Sequence, residues 1–223
     1  MYTYLVPSAY EAIQKDIEDS FHRLIGKSKE EIRNICIVGA YHAEELYRLY
    51  HTYPNSIFYL FEAHPEHYRV MYSVENGRIF HENSRVKTFN KAVSNKCGEV
   101  DFYELDNDGG GCGSLLQPVH DTKSAVKEVI KVPCTTLREE LGDIDIDLLW
   151  VDVQGAELQV LEGVDTRRCV SMFLEISTSG YEGYLDQCDK EDLDAYLVHH
   201  DLHSIGLDQG EVGVGNSFWI RKE

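Results

Sequence analysis

A glycine and a carboxylate that each end a short apolar run form the first pattern with chemical meaning. Gly39 follows the run at residues 34–38, and Glu62 follows the run at residues 57–61, 23 residues after the glycine. A glycine lets the backbone approach a ligand, and a carboxylate about 20 residues further on can accept both hydroxyl hydrogens of a ribose. The pair therefore predicts a nucleoside site.

The residues that follow Gly39 indicate which nucleoside fits. A dinucleotide-binding turn needs further glycines that make room for a pyrophosphate, whereas this turn contains Tyr41, His42 and Glu44. Bulky and acidic side chains disfavour a pyrophosphate. S-adenosylmethionine has a sulfonium cation and no phosphate, so this turn favours S-adenosylmethionine.

A second acidic position ends the most apolar segment of the chain. Asp152 closes a predicted strand at residues 146–152, and a turn and a helix over residues 156–162 follow it. Asp152 is our first candidate for a general base, and an equal alternative is that it orients a methyl donor. Glu175, at the end of the next predicted strand, and His42 are the further catalytic candidates.

Weaker candidates accompany these residues. Glu157 and His120 are also ionisable, but a carboxylate in the first turn of a helix, such as Glu157, is stabilised by the helix dipole without any chemistry. Asp152 and Glu175 could together hold a divalent metal, but two carboxylates without a ligand spacing are weak support, so we predict no metal site.

These positions need a fold that gathers strand ends. Apolar runs alternate with helical segments in the first half of the chain, which predicts an α/β fold with parallel strands and right-handed crossovers. Ligands bind such sheets at the carboxyl ends of the strands. The predicted strands cover residues 34–39, 57–62, 86–93, 99–105, 146–152, 170–176, 202–207 and 216–221, with an edge strand at 131–135 because it contains Pro133; predicted helices cover 9–25, 43–53, a segment opened by Pro65, 156–162 and 190–200.

The segment at residues 146–163, IDLLWVDVQGAELQVLEG, resembles the signature of FkbM-type S-adenosylmethionine-dependent methyltransferases. The similarity covers about residues 34–223. The family often has Lys and Glu where this chain has Trp150 and Gln154, and its usual glycine-containing first turn is replaced at residues 40–43. Shorter matches occur in the family's order at residues 37–40, 61–65, 92–94, 113–116 and 218–221.

The resemblance implies a three-layer, Rossmann-like class I methyltransferase fold with a mostly parallel seven-stranded sheet and an antiparallel C-terminal strand. Residues 31–223 would form the methyltransferase domain, and residues 1–30 a helical extension of it. The cofactor would be S-adenosyl-L-methionine. Its implied contacts are Gly39, Ala40 and Tyr41 at the methionine part, Glu62 at the ribose, Ala63 and Ala92 beside the adenine, and Asp152 near the methyl group.

The resemblance also implies an O-methyltransferase, and we expect its acceptor to be a hydroxyl of a small molecule or carbohydrate, with a glycan sugar favoured. Tyr181, Tyr184 and Trp219 could stack on a sugar, but such rings also occur in ordinary protein cores. The glycine-rich loop at residues 109–113 is either a lid over the acceptor or a plain flexible turn.

Two other classes of function stay open. Asp143, Asp145 and Asp147 form a DxD pattern, which would suit a metal-dependent glycosyltransferase. The altered first turn and Gln154 would suit a non-catalytic binding module that kept the fold.

Composition limits the partners and the compartment. The 223 residues contain 39 acidic and 21 basic side chains, and the net charge of −18 opposes binding to nucleic acid. None of the six cysteines forms a CxxC pair, which is typical of free thiols in a reducing compartment. No signal sequence is visible and no apolar run is long enough to span a bilayer, so we expect a cytoplasmic protein. The sequence does not indicate an oligomeric state.

Overall fold

The computed structural model describes residues 20–71, 84–106, 111–119, 126–177, 183–209 and 213–221. Ten strands occur in these ranges. They are β1 (Asn34–Val38), β2 (Ile57–Phe61), β3 (Val86–Phe89), β4 (Ala92–Val93), β5 (Gly98–Leu105), β6 (Val126–Thr135), β7 (Ile146–Val151), β8 (Cys169–Ser177), β9 (Leu202–Gln209) and β10 (Val214–Arg221).

Seven of these strands form the central sheet, in the order β3-β2-β1-β7-β8-β10-β9. The five strands from β3 to β8 are parallel to their neighbours, whereas β10 is antiparallel to both β8 and β9. This arrangement confirms the predicted α/β fold and its antiparallel C-terminal strand.

A second sheet has the order β4-β6-β5 and corrects two sequence predictions. The strand predicted at residues 86–93 is divided between the sheets, because β3 pairs in the central sheet and β4 pairs with β6. The edge strand predicted around Pro133 is wrong, because β6 is the central strand of its sheet. Pro133 is tolerated since β4 pairs with β6 only at Cys134 and Thr135, just beyond the proline.

Helices flank the central sheet. Pro65 is the first residue of its helix, as predicted, and Gly163 caps the helix that follows β7. Residues 20–24 are helical, and the rest of the helix predicted at 9–25 lies outside the described residues. The helices are α1 (Glu44–Thr52), α2 (Pro65–Met71), α3 (Leu137–Leu141), α4 (Glu157–Glu162) and α5 (Lys190–His199). No helix in these ranges is long and apolar enough to cross a bilayer.

The central strands are buried on both faces, which is what covering helices produce in a three-layer fold. All six residues of β7 are buried. Their side chains alternate between two apolar clusters: Leu149 and Val151 belong to one cluster, and Leu148 and Trp150 to the other. Each buried side chain of this size contributes about 1.5–3 kcal/mol of hydrophobic free energy. This packing fixes the end of β7, and with it Asp152.

Gly163, which caps α4, forms a tight corner between this helix and the second sheet. A Cβ atom on Gly163 would lie 2.1 Å from the carbonyl oxygen of Ser94, which directly follows β4. The carbonyl of Gly163 also accepts a hydrogen bond from the backbone of Arg138 in α3 (3.0 Å). The end of α4, the end of β4 and the start of α3 therefore meet at a position that only glycine fits.

Candidate active site

A cavity of about 180 Å³ opens at the carboxyl ends of β1, β2 and β7. Every residue that we predicted to bind the cofactor lines this cavity, together with His42. These residues are Gly39, Ala40, Tyr41, His42, Glu62, Ala63, Ala92 and Asp152. Of the further catalytic candidates, neither Glu175 nor the weaker candidate Glu157 lines it.

The turn after β1 brings two strand ends into contact. Gly39 has a φ of +81°, and a Cβ atom there would lie 1.7 Å from the carbonyl oxygen of Asp152. Asp152 in turn donates its backbone N–H to the carbonyl of Val38 (3.0 Å). Tyr41 and Ala43 also have left-handed φ values, 47° and 57°, which are costly for residues with side chains and often mark functional sites. The turn therefore adopts left-handed φ values at residues that carry side chains, without a second glycine.

Glu62 is held by the backbone on both of its oxygens. Its Oε2 accepts the N–H of Tyr41 and its Oε1 accepts the N–H of His64, each at 2.7 Å. The residue is 6% exposed. Burial raises the pKa of Glu62 to about 7, against the two backbone hydrogen bonds, which lower it. Each carboxylate oxygen keeps a further lone pair that can accept a hydrogen bond from a ligand hydroxyl.

One end of the cavity is apolar. Ala63 and Ala92 pack there with Phe102 and Leu115 in a cluster that includes part of the second sheet. Phe102 and Leu115 were not predicted from the sequence. The alternating pattern at residues 99–105 indicated a strand, but only the pairing of β5 with β6 shows which side of it faces the cavity. This end of the cavity can hold a flat apolar ring.

Asp152 and Glu175 are linked through Gln154. The amide nitrogen of Gln154 donates to Asp152 Oδ1 (2.8 Å) and to Glu175 Oε2. Glu175 lies behind Gln154, where it lines a second, smaller space of about 30 Å³ with Gly155 and Tyr184. Burial, followed by the negative charge of Asp152, raises the pKa of Glu175 well above its ordinary value.

Glu157 is buried against the same turn. Its Oε1 accepts the backbone N–H groups of Val153 (3.2 Å) and Gly155 (3.1 Å), and the residue is 1% exposed. Burial raises the pKa of Glu157 to about 7. The described residues contain no group of three His, Cys, Asp or Glu side chains that could hold a metal ion.

His42 lies at the cavity beside Tyr41. The two rings stack with their centroids 3.7 Å apart, and His42 Nε2 is 3.3 Å from Nδ1 of His67. Burial lowers the pKa of His42, and the charge of Glu44 opposes this effect. His67 was not predicted; it lines the cavity from α2. His120 lies outside the described residues.

The aromatic residues that we considered for sugar stacking differ in where they lie in the structure. Trp219 is 3% exposed, belongs to the core and donates to Ser217 Oγ (2.9 Å), so the expectation for Trp219 is wrong. Tyr184 is nearly buried, and its hydroxyl donates to the carbonyl of Cys112 (2.6 Å). Tyr181 and residues 109–110 lie outside the described ranges.

The DxD residues lie at the other end of β7. Asp147 is buried and accepts the backbone N–H groups of Arg33 and Asn34, and it pairs with Lys27. The carboxylates of Asp143 and Asp145 both pair with Arg168, at 2.9 Å. These aspartates are therefore used in structural ion pairs at the amino end of β7, whereas the cavity lies at its carboxyl end.

The strand order and the cavity at the strand ends define a class I methyltransferase fold. Residues 38–203 match the family described as methyltransferase FkbM domain. The chain therefore belongs to the FkbM methyltransferase family, which confirms the family that the sequence resembles.

Individual relatives agree with this family. The chain is 29% identical over 115 residues to 2-O-methyltransferase NoeI of Sinorhizobium fredii (strain NBRC 101917 / NGR234), a match that covers 46% of this chain and 47% of the relative. It is similar in fold to methyltransferase FkbM from Methylobacillus flagellatus KT (TM-score 0.59, 15% identity, 96% of this chain and 50% of the other). It is also similar to the N-terminal domain of EvdMO1, solved with S-adenosylhomocysteine and D-fucose (TM-score 0.51, 10% identity, 93% and 82%). The chain thus spans about half the length of the first two relatives.

Proposed function

We propose that this chain transfers the methyl group of S-adenosylmethionine to a hydroxyl of a small or carbohydrate acceptor, with a glycan sugar as the favoured acceptor. The observation that carries this proposal is the convergence of the β1 turn, Glu62 and Asp152 on one cavity. The name of the curated relative, a 2-O-methyltransferase, supports an oxygen atom as the methyl acceptor.

The residues of the cavity suit each part of the cofactor. Glu62 would accept the ribose hydroxyls, because both of its oxygens are fixed toward the cavity by backbone donors. The apolar end formed by Ala92 and Phe102 would hold the adenine, and the β1 turn would hold the methionine part. Glu44, Glu45 and Asp152 outnumber Lys91 among the charged residues that line the cavity, and this excess of negative charge suits a cation. When bound, the cofactor supplies an electrophilic methyl group on a sulfonium.

Asp152 is our candidate for the general base. It lies at the carboxyl end of β7, lines the cavity and is held by Gln154. The acceptor hydroxyl would approach the methyl carbon in line with the bond that breaks, and alignment within about 3–3.5 Å supplies much of the rate. As the oxygen bonds to the methyl carbon, the hydroxyl proton would pass to Asp152. A base in this position raises the rate by about 100-fold or more.

The proposal is tested by calorimetry with S-adenosylhomocysteine and by transfer of labelled methyl groups onto a panel of glycans. We expect the wild-type chain to bind S-adenosylhomocysteine and to label a sugar. Asp152→Asn should keep this binding and lose about 100-fold in transfer. Asp145→Asn, on an exposed ion pair far from the cavity, is the control.

Each failure has a separate meaning. Absence of S-adenosylhomocysteine binding would refute the methyltransferase site. Binding without transfer to any acceptor would favour a non-catalytic module. Full transfer by Asp152→Asn would leave Asp152 as a residue that orients the donor.

The cysteines bear on the compartment. All six are free, and four of them are buried. Free thiols persist where disulfides are reduced, so we propose that the chain works in the cytoplasm. Thiol counting on protein isolated from its native cells checks this, because a disulfide found there would argue against it.

A further inference from the structure

Gln154 lies between two carboxyl groups that come from different strands. A primary amide nitrogen carries two hydrogens, and here one is directed to Asp152 at the end of β7 and the other to Glu175 in β8. The β7–β8 register pairs Val151 with Leu174, so Asp152 and Glu175 stand one step further along neighbouring strands. The sheet thus brings the two carboxyl groups close enough to share a side-chain hydrogen bond, and the amide of Gln154 contacts both of them.

The backbone supports this position of Gln154 at some cost. Its φ is 55°, a left-handed value that disfavours a residue with a long side chain, and Gly155 follows with a φ of 96°. Ser114 Oγ donates to the carbonyl of Gln154 (2.8 Å) and holds the turn from the opposite side. Strained backbone at a cavity is often retained because it directs a functional side chain.

The charges around the pair show what an amide contributes at position 154 of this chain. Glu62 after β2 and Glu157 in α4 both interact electrostatically with Asp152, and a negative charge on either of them repels that of Asp152. The thiol of Cys112, in the loop before β6, acts on Glu175, and Lys91 lines the same cavity as Asp152. Burial, followed by the charge of Asp152, raises the pKa of Glu175 well above its ordinary value. The amide supplies a hydrogen-bond donor without adding a charge.

We propose that Gln154 is a positioning residue for methyl transfer, which holds the Asp152 carboxylate at the cavity and joins it to Glu175. This inference rests on the proposed role of Asp152 as the base. The amide stabilises the ionised, proton-accepting form of Asp152 and fixes its orientation. A glutamate at position 154 would remove the donor and add a like charge to the cluster, so it would disfavour that form.

The test is the pH profile of kcat for labelled methyl transfer in Gln154→Glu. The rising limb of the profile should move upward by about one pH unit, which is about a 10-fold loss on that limb. S-adenosylhomocysteine affinity should change far less than kcat. The double variant Gln154→Glu with Glu175→Gln exchanges the amide and the acid, and it should recover most of the lost activity because the cluster again has one amide between carboxyl groups.

Two further variants keep the test decisive. Gln154→Met removes the donor without adding a charge, and it should move the limb in the same direction by less, which decides the matter if Gln154→Glu does not fold. Gln159→Glu makes the same charge change in α4, where the side chain contacts Ser94 and does not line the cavity, and it should leave the profile unchanged.

The result that overturns the inference is a wild-type profile in Gln154→Glu and Gln154→Met, or a double variant no better than the single one. If Asp152→Asn is inactive while the Gln154 variants are normal, only the role of Gln154 fails. If the wild-type chain binds no S-adenosylhomocysteine, the proposed function fails first and this inference falls with it.

Discussion

Two carboxylates face the same cavity but are held in different ways. Glu62 is fixed by the backbone N–H groups of Tyr41 and His64, which follow from the path of the chain. Asp152 is fixed by the side-chain amide of Gln154, which a single substitution can remove. The difference indicates that the environment of Glu62 is set by the fold, whereas that of Asp152 is set by one replaceable residue. The close backbone approach of Gly39 to the carbonyl of Asp152 connects the two strand ends that carry these carboxylates.

Gly39→Ala is the strongest way to break this arrangement, because it separates the two strand ends. The new Cβ would overlap the carbonyl of Asp152, so the backbone must shift. We expect a loss of about 4 kcal/mol in the free energy of unfolding, measured by urea denaturation. Gly142→Ala is the matched control, since Gly142 has a φ of +57° with nothing within 4 Å of the added atom. It should lose only about 1 kcal/mol, and equal losses would contradict the role of the contact.

Glu62→Ala tests the carboxylate that the backbone holds. It removes the proposed ribose acceptor and leaves the N–H groups of Tyr41 and His64 without this partner. We expect S-adenosylhomocysteine to bind about 100-fold more weakly, measured by calorimetry. Glu66→Ala, an exposed position paired with Arg69, should bind it normally. Unchanged affinity in Glu62→Ala would remove the ribose assignment.

Glu157→Gln tests the turn that carries Asp152, through the pH dependence of protein stability. The pKa of Glu157 is raised to about 7, so between about pH 4.5 and 7 the folded protein binds a proton that the unfolded chain has lost. Glu157 therefore makes the wild-type protein less stable as pH rises through this window. The amide introduced by Glu157→Gln cannot ionise, so the variant should gain about 2 kcal/mol relative to wild type between pH 5 and pH 8.

Thermal or urea unfolding of both proteins across that range measures this difference. Glu162→Gln, at the exposed end of the same helix, should show no such gain. A constant difference between Glu157→Gln and wild type at all pH values would contradict the assignment.

The sequence predicted the parts of the fold that depend on local patterns. Buried parallel strands are apolar runs that end at turn residues, so the ends of β1, β2 and β7 could be placed from the sequence alone. The second sheet could not, because β4 has only two residues and its pairing with β6 joins positions about 40 residues apart. Pro133 led to a wrong prediction for the same reason. A proline is excluded only where an adjacent strand needs its N–H group, and β4, which pairs with β6 just beyond Pro133, is distant in sequence.

The residues of the candidate site also fall into two groups: those that a local sequence pattern predicts and those that depend on distant strand pairing. Gly39, Glu62 and Asp152 each follow a strand, and the structure brings all three to one cavity. Phe102 reaches the cavity from β5, and Leu115 reaches it from the segment between β5 and β6. No local sequence pattern indicated either residue. The link from Gln154 to Glu175 depends on the register of β7 with β8, which a one-residue slip would destroy.

The corner at Gly163 has a mechanical consequence for the cavity. The second sheet supplies one wall, through Phe102, and its attachment at Gly163 leaves no space for even one added atom. Phe102 also packs against Gly113, where an added Cβ atom would lie 2.5 Å from its ring, and Ser114 Oγ binds the carbonyl of Gln154. The same wall is therefore held at two glycines, and a methyl group added at either one would displace it and change the shape of the cavity.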